Sequence, residues 1–311
     1  MTSLLTLITP TNLEAERVKF FASSTYNPIF HYLWQDDPGM DMAQRDPLKQ
    51  ELFEAVLSQD HSLISQVAQS YFDTQITPTI LKLARDRGAL SGIKTSGSAQ
   101  HFAELLREGL DYFGLTDTKI VLSSQAGFNA RPDHSHHQII VSQHAHFEYF
   151  SMEGGVRHDL VHTIRHHNGQ YNHLSRAANY LPTEEGLASW CQDHTNDDNG
   201  EAQHAMEYVG SSIGLSGSLR DIYNYMIDSG MTRELAWKRA SRHKFGFIDT
   251  GKPGDIIKPA MYFANEVKIG QLSSAEKLRL FVGKIALTDL PAHPVYSGRW
   301  PAKKLVDYFN L

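Results

Sequence analysis

The sequence predicts an α+β protein, mainly helical, with a small sheet next to a helix that carries paired histidines. Three observations lead there. Most of the chain reads as segments of helical length with Ser, Thr, Asp or Gly at their ends. Two short β-branched runs, 119–124 and 138–142, interrupt that pattern. Soon after the second run comes Arg157-His158-Asp159-Leu160-Val161-His162. Its two histidines, four residues apart, fall within about 40° of each other on a helix surface.

Taken in order, residues 1–45 show little periodicity and read as an entry segment, with Asn27-Pro28-Ile29-Phe30 as a turn into an apolar anchor. Asp46-Pro47 is an N-cap and first-turn pair for a helix over about 47–58. Further helices are expected at about 61–73, 78–88 and 98–113, the last closed by Gly114 as its C′ residue. The two strand-like runs are close enough for a hairpin or for neighbouring strands of one sheet, with turn signals at Gly127 and Pro132 between them. A histidine-bearing helix is expected at about 156–167, ended by Asn168-Gly169, and Thr183 is placed as the N-cap of a helix carrying Glu184 and Glu185. Helical patterns follow at about 200–213, 217–229 and 232–243, and Ser273-Ser274-Ala275-Glu276 fits a capping box for a final helix. No internal repeat or low-complexity linker is evident. The expected division is a helical part over 1–97 and a catalytic part over 98–311, folded as one compact unit.

At 311 residues the chain can bury a sizeable core. A formal charge of −6 gives no general electrostatic case for nucleic acid or an anionic membrane, so neither is expected as a partner. The single cysteine, Cys191, excludes an intrachain disulfide and a thiolate zinc cluster; it fits a cytoplasmic protein and reads as a small buried hydrophobe. No signal peptide is expected, because Met1 to Pro10 has neither a basic lead nor a small-residue cleavage site. No run of 18 apolar residues is present.

Histidine is over-represented. The chain has 17, ten of them between His134 and His173. In such a stretch a His-x-x-x-His pair arises readily by chance, and the cluster His134, His136, His137, His144 and His146 reads equally as a solvated loop or as an approach to the motif. The pair His158/His162 gains weight from the acidic residues that follow. Two imidazoles on one helix face plus a glutamate from a later helix make a His2Glu set with a fourth position open, the pattern of zinc peptidases. Glu184 and Glu185 are both available, and acids in a first turn also suit the helix dipole. Zn2+ fits such a set best, with manganese or iron as alternatives.

The string Glu185-Gly186-Leu187-Ala188 resembles the segment of gluzincin aminopeptidases in which the glutamate before glycine is the third zinc ligand. It is closer still to a family of bacterial Glu-Gly-Leu-Ala proteins that includes the microtubule-associated tyrosine carboxypeptidases, which remove a C-terminal tyrosine from tubulin. That family's pattern is His-Glu-x-x-x-His-x-x-Arg, then Asn, then Glu-Gly-Leu-Ala. Here the matching residues are His162-Thr163-Ile164-Arg165, Asn168 and Glu185-Gly186-Leu187-Ala188. The similarity covers about residues 98–290 and extends more loosely to Arg239, Arg242, Gly246, Tyr262-Phe263 and 283–287. The chain departs from the pattern at the first histidine. Aligning His158 there removes one residue between the histidines and restores a regular helical spacing, with Asp159 in place of the glutamate.

The resemblance implies a zincin-like, zinc-dependent metallopeptidase of carboxypeptidase type, acting on a peptide or protein C-terminal tail. It implies His158, His162 and Glu185 as metal ligands and Asp159 as the base. Arg165 has two roles open to it, gripping a substrate carboxylate or pairing with a nearby acid. Arg239, Arg242 and Tyr262 are candidates for the oxyanion or the substrate carboxylate. Ile139 to Val141 is a candidate edge for holding an extended peptide. Two rival readings are a non-catalytic zinc-binding or regulatory protein, and a His-Asp type metal-dependent phosphohydrolase that would recruit His136 or His144 and Asp193 or Asp197.

Overall fold

The computed structural model describes residues 3–37, 39–44, 46–88, 97–124, 128–145, 151–194 and 200–311. His146 and Asp197, singled out from the sequence, lie outside them. The described chain is mainly helical with one small sheet. Its helices are α1 (Leu4–Ile8), α2 (Leu13–Ala22), α3 (Leu33–Asp36), α4 (Pro47–Ser58), α5 (His61–Tyr71), α6 (Pro78–Arg87) and α7 (Ala99–Tyr112). After the strands come α8 (Met152–Tyr171), α9 (Tyr180–Asp193), α10 (Gly200–Gly214), α11 (Leu219–Asp228), α12 (Arg233–His243), α13 (Lys258–Gly270), α14 (Ser274–Arg279) and α15 (Ala302–Phe309). No described helix is long and apolar enough to cross a membrane.

Caps account for the helix starts that were legible in the sequence. Asp46 accepts hydrogen bonds from the Leu48 and Lys49 amides and precedes Pro47 at the first position of α4. Ser273 and Glu276 form the reciprocal capping box of α14. Gly114, at φ +68°, follows α7 while the Leu115 amide closes back on the Leu110 carbonyl, so a left-handed residue ends the helix there.

The expected entry segment instead contains α1 to α3. These helices are too short to nucleate alone and are set by packing. Phe20 and Phe30 are buried, and the buried Glu16 carboxylate accepts from the Tyr26 hydroxyl and the Ile29 amide. Helix α13 had no cap signal strong enough to be foreseen, and α14 is not the final helix, because α15 follows it.

The chain forms two compact units, Met1–Leu90 with His204–Ala264, and Ser91–Gln203 with Asn265–Leu311. In the first, Lys244 is fully buried. Its ammonium donates to the carbonyls of Gly214, Gly217, Lys252 and Gly254 at 3.1, 2.8, 2.9 and 2.5 Å, which ties the α10–α11 and α12–α13 connections to the end of α12. Beside it, His243 Nδ1 lies 2.8 Å from Asp255, also fully buried.

The second unit holds the sheet. Strand β1 (Lys119–Ser123) and strand β2 (Ala130–Asp133) flank β3 (Gln138–Ser142). β1 runs parallel to β3, from Lys119↔Gln138 to Ser123↔Ser142, and β2 runs antiparallel to it. The two expected strands are thus neighbours in one sheet. β2 escaped notice because Pro132 interrupts its pattern, a residue tolerated at a sheet edge. Ile139 to Val141 cannot hold a peptide by edge pairing, since β3 is bonded on both sides; the edges among the described residues are β1 and β2. The core joins Leu106 and Leu110 of α7, Ile139 and Val141 of β3, Val156, Leu160, Val161 and Ile164 of α8, and Phe281, Leu305 and Phe309 from the C-terminal segment.

Three helix boundaries differ from the sequence expectation: α8 starts at Met152, behind the Ser151 cap, and two others move for tertiary reasons. α8 continues through Asn168-Gly169 because these residues are buried against the segment after α14. Asn168 Nδ2 donates to the Phe281 carbonyl at 2.7 Å, and the Gly169 position lies close to the Gly283 backbone. α9 begins before Thr183, whose hydroxyl accepts from the Leu287 amide at 2.8 Å instead of capping its own helix. In α9, a Cβ at Gly186 would fall 2.7 Å from the Asn265 backbone carbon, so only glycine allows α9 this close to that segment. Gly186→Ala is expected to destabilise the protein by about 1–3 kcal/mol through overpacking. Gly114→Ala is expected to cost about 1–2 kcal/mol through the left-handed backbone. Urea unfolding midpoints at constant m-value check both.

Candidate metal centre

Helix α8 begins at Ser151, whose hydroxyl accepts from the Gly154 amide at 2.9 Å. Its apolar residues anchor it in the core and fix the rotation of the whole helix. His158 and His162 then share a face, with ring centroids 5.0 Å apart. α9 packs alongside and brings Glu185 between them. Glu185 Oε2 lies 3.5 Å from His158 Nε2 and 3.6 Å from His162 Nε2, and the three ligand atoms all lie within 4.8 Å of one another. Four donors around zinc at about 2.1 Å sit about 3.4 Å apart along the edges of a tetrahedron. The residues therefore fit a small divalent ion held by two imidazoles and a carboxylate.

The neighbouring Glu184 does a different job. Successive residues on a helix point about 100° apart, so Glu184 turns behind His162 while Glu185 turns toward its front. Glu184 Oε1 is 2.8 Å from His162 Nδ1 and takes the Lys284 ammonium at 2.6 Å; Oε2 takes Arg165 Nη1 at 3.2 Å. All four side chains are buried. Burial works against the Glu184 carboxylate, but the His162 hydrogen bond and the charges of His162, Lys284 and Arg165 hold its pKa well below the usual range. Burial also disfavours a charged His162 ring, and Glu185 and Glu184 together overcome it and raise its pKa.

Asp159, next to His158 on α8, is 7% exposed. Burial pushes its carboxyl up to about 6, against the opposing charges of the two histidines. A carboxyl poised there can exchange a proton near neutral pH.

Of the two roles open to Arg165, the structure shows the pairing with an acid. Its side chain is fully buried. Nε donates to the carbonyls of Leu280 and Gly283 at 2.9 and 3.0 Å, Nη2 to Ile285 at 2.7 Å, and Nη1 to Glu184. Arg239, Arg242 and Tyr262 belong to the Met1–Leu90/His204–Ala264 unit. Arg239 and Arg242 both approach the buried Glu207, at 3.0 and 3.9 Å, while Tyr262 accepts from Lys258 at 2.9 Å and lies parallel to the His204 ring. Sequence reasoning left Lys284 without a role. Its signal was a lone charge inside the apolar string 280–287.

The histidine-rich stretch does not form a three-donor group among the described residues. His136 is exposed and paired with Asp133, and His144 is exposed. His134 stacks on His166, one turn beyond His162, at 3.9 Å with the rings 8° from parallel. With His137 and His167 they line a small cavity closed by Thr118, Gln138, Ile139 and Thr163.

No family model matches the chain. A mouse protein, "Putative tyrosine carboxypeptidase MATCAP2", is 25% identical over 308 residues, covering 92% of this chain and 55% of its own length. The chain thus spans about half the length of the curated relative it matches. A distant relative therefore carries a carboxypeptidase name, in line with the resemblance read from the Glu-Gly-Leu-Ala segment.

Burial lowers His134 to about 3 and His166 to about 4, with the charge of Lys284 adding to both shifts. An unfolded histidine titrates at about 6.5. Between these values the unfolded chain binds more protons, so stability contributed by the neutral stack is present above about pH 6.5 and is lost as pH falls toward 4. Urea midpoints measured from pH 7 to 5 should fall, and His134→Asn/His166→Asn should flatten that slope.

Proposed function

We propose that this chain is a zinc-dependent metallopeptidase of carboxypeptidase type, with His158, His162 and Glu185 as ligands. The observation that carries the reading is the convergence of the three ligand atoms, with Glu185 Oε2 at 3.5 and 3.6 Å from the two imidazoles. Zinc held there would polarise a scissile carbonyl and acidify a water molecule. The chain's own residues would do the rest. Asp159 would accept the proton of the attacking water and return it to the leaving amine. It follows His158 directly on α8, and the charges of both histidines and Glu185 act on its carboxyl. Glu184 would keep His162 oriented through Nδ1.

The substrate would be the C-terminal tail of a peptide or protein. An extended peptide would add to an edge that the sheet has among the described residues, and β2 is favoured because it runs into the His134 turn that stacks on α8. The name of the mouse relative supports a carboxypeptidase and goes no further, given the share of its length that is matched.

Elemental analysis should find about one zinc per chain, lost in His162→Ala and in Glu185→Ala. Asp159→Asn should keep the metal and release C-terminal residues from a peptide library about 10²–10⁴-fold more slowly. Metal retained in both ligand variants would sink the reading. Zinc bound with no turnover, and no difference between wild type and Asp159→Asn, would leave a non-catalytic zinc protein.

A further inference from the structure

The Glu184 carboxylate has two oxygens and three buried donors, and the way these are shared assigns a role to a residue 100 positions away. Oε1 meets both His162 Nδ1, at 2.8 Å, and Lys284 Nζ, at 2.6 Å. Oε2 faces Arg165 at 3.2 Å. An oxygen that receives an ammonium, opposite one that receives a guanidinium, acts as an acceptor only. The proton between Glu184 and His162 must therefore sit on Nδ1. In the neutral ring that leaves the lone pair on Nε2, the nitrogen that faces Glu185.

The two cations are not equivalent. Arg165 spends its other N–H groups on the carbonyls of Leu280, Gly283 and Ile285, so its first effect is to fasten that segment to α8. Lys284 sits on the fastened segment, 7% exposed, with its ammonium also 5.3 Å from the Tyr180 ring. Among the described residues its hydrogen bond goes to the same oxygen that His162 uses. Without it, Oε1 keeps only His162, and the carboxylate can turn toward Arg165.

We propose that Lys284 is a positioning residue for the metal centre: by holding Glu184 Oε1, it fixes His162 as the Nδ1–H tautomer before any metal arrives. The assignment rests on the metal-centre reading only for its effect on affinity. The tautomer it sets is a property of the apo protein. Groups behind a metal-binding histidine commonly change affinity by 10–100-fold, and Lys284 acts one step further back.

The test compares wild type with Lys284→Met, Lys284→Arg and a control, Asn172→Ala. The control removes a hydrogen bond to the Val282 carbonyl in the same segment without touching Glu184. Long-range 1H–15N spectra of apo protein report the His162 tautomer, chelator competition reports zinc affinity, and circular dichroism with urea unfolding reports folding. Lys284→Met is expected to fold, to populate both His162 tautomers, and to bind zinc about 10–100-fold more weakly. Lys284→Arg should restore both readouts, and Asn172→Ala should leave both at wild-type values. Should Lys284→Met fail to fold, Lys284→Gln, which keeps a donor but loses the charge, is read in the same way.

A Lys284→Met protein with the wild-type tautomer and wild-type affinity overturns the proposal. Equal losses in Asn172→Ala also overturn it, since they would show a role only in holding the segment. If wild type binds no zinc, the metal-centre reading fails, while the tautomer comparison still decides the role of Lys284.

Discussion

A carboxylate with almost no exposed surface must be paired, because stranding it in the interior costs several kcal/mol. Glu184 imposes that constraint on the Ser91–Gln203/Asn265–Leu311 unit. His162 and Arg165 come from α8, Glu184 from α9 and Lys284 from the segment after α14, so one side chain joins three stretches of chain. Arg165 extends the junction through three backbone carbonyls, and Asn168 and Asn172 continue it along the last turns of α8. Leu160, Val161 and Ile164 of the same helix are buried in the core. The hydrogen bonds and the apolar contacts together hold the helix, with His158 and His162 facing Glu185.

Two adjacent acids thereby take opposite parts. Both Glu184 and Glu185 reach His162, one at Nδ1 and the other near Nε2. Their roles differ because a helix separates neighbours by about 100° and because α9 lies close enough for both to arrive. Gly186 permits that closeness, since any larger residue would strike the backbone at Asn265. The Glu-Gly pair thus works as a ligand plus the clearance that lets the ligand in. The same logic explains Arg165. Its place one turn after a histidine suggests a substrate clamp, but α8 faces the 280–285 segment there, so its guanidinium is consumed by the fold.

Much of this was legible in residues alone. Caps and period gave α4, α7, β1 and β3 close to their observed limits, because Asp46, Ser98, Gly114 and the β-branched runs act locally. The spacing of His158 and His162, followed by Glu185, was enough to propose a metal-binding set, because helical geometry makes that spacing meaningful before any fold is known. The signals that misled were also local. Asn168-Gly169 looks like a helix end and Thr183 like a helix start, yet both are buried against distant backbone that claims their hydrogen bonds.

By itself, then, the sequence determined that His158 and His162 share one face of a helix, since a four-residue spacing depends only on positions within one turn. Tertiary structure alone decided the partners that are far apart in the chain. Lys284 reached Glu184, His134 stacked on His166, and β2 rather than β3 became an edge. None of these has a periodic or spacing signal. Each is fixed by where buried charge, ring faces and backbone donors must find partners once water is excluded.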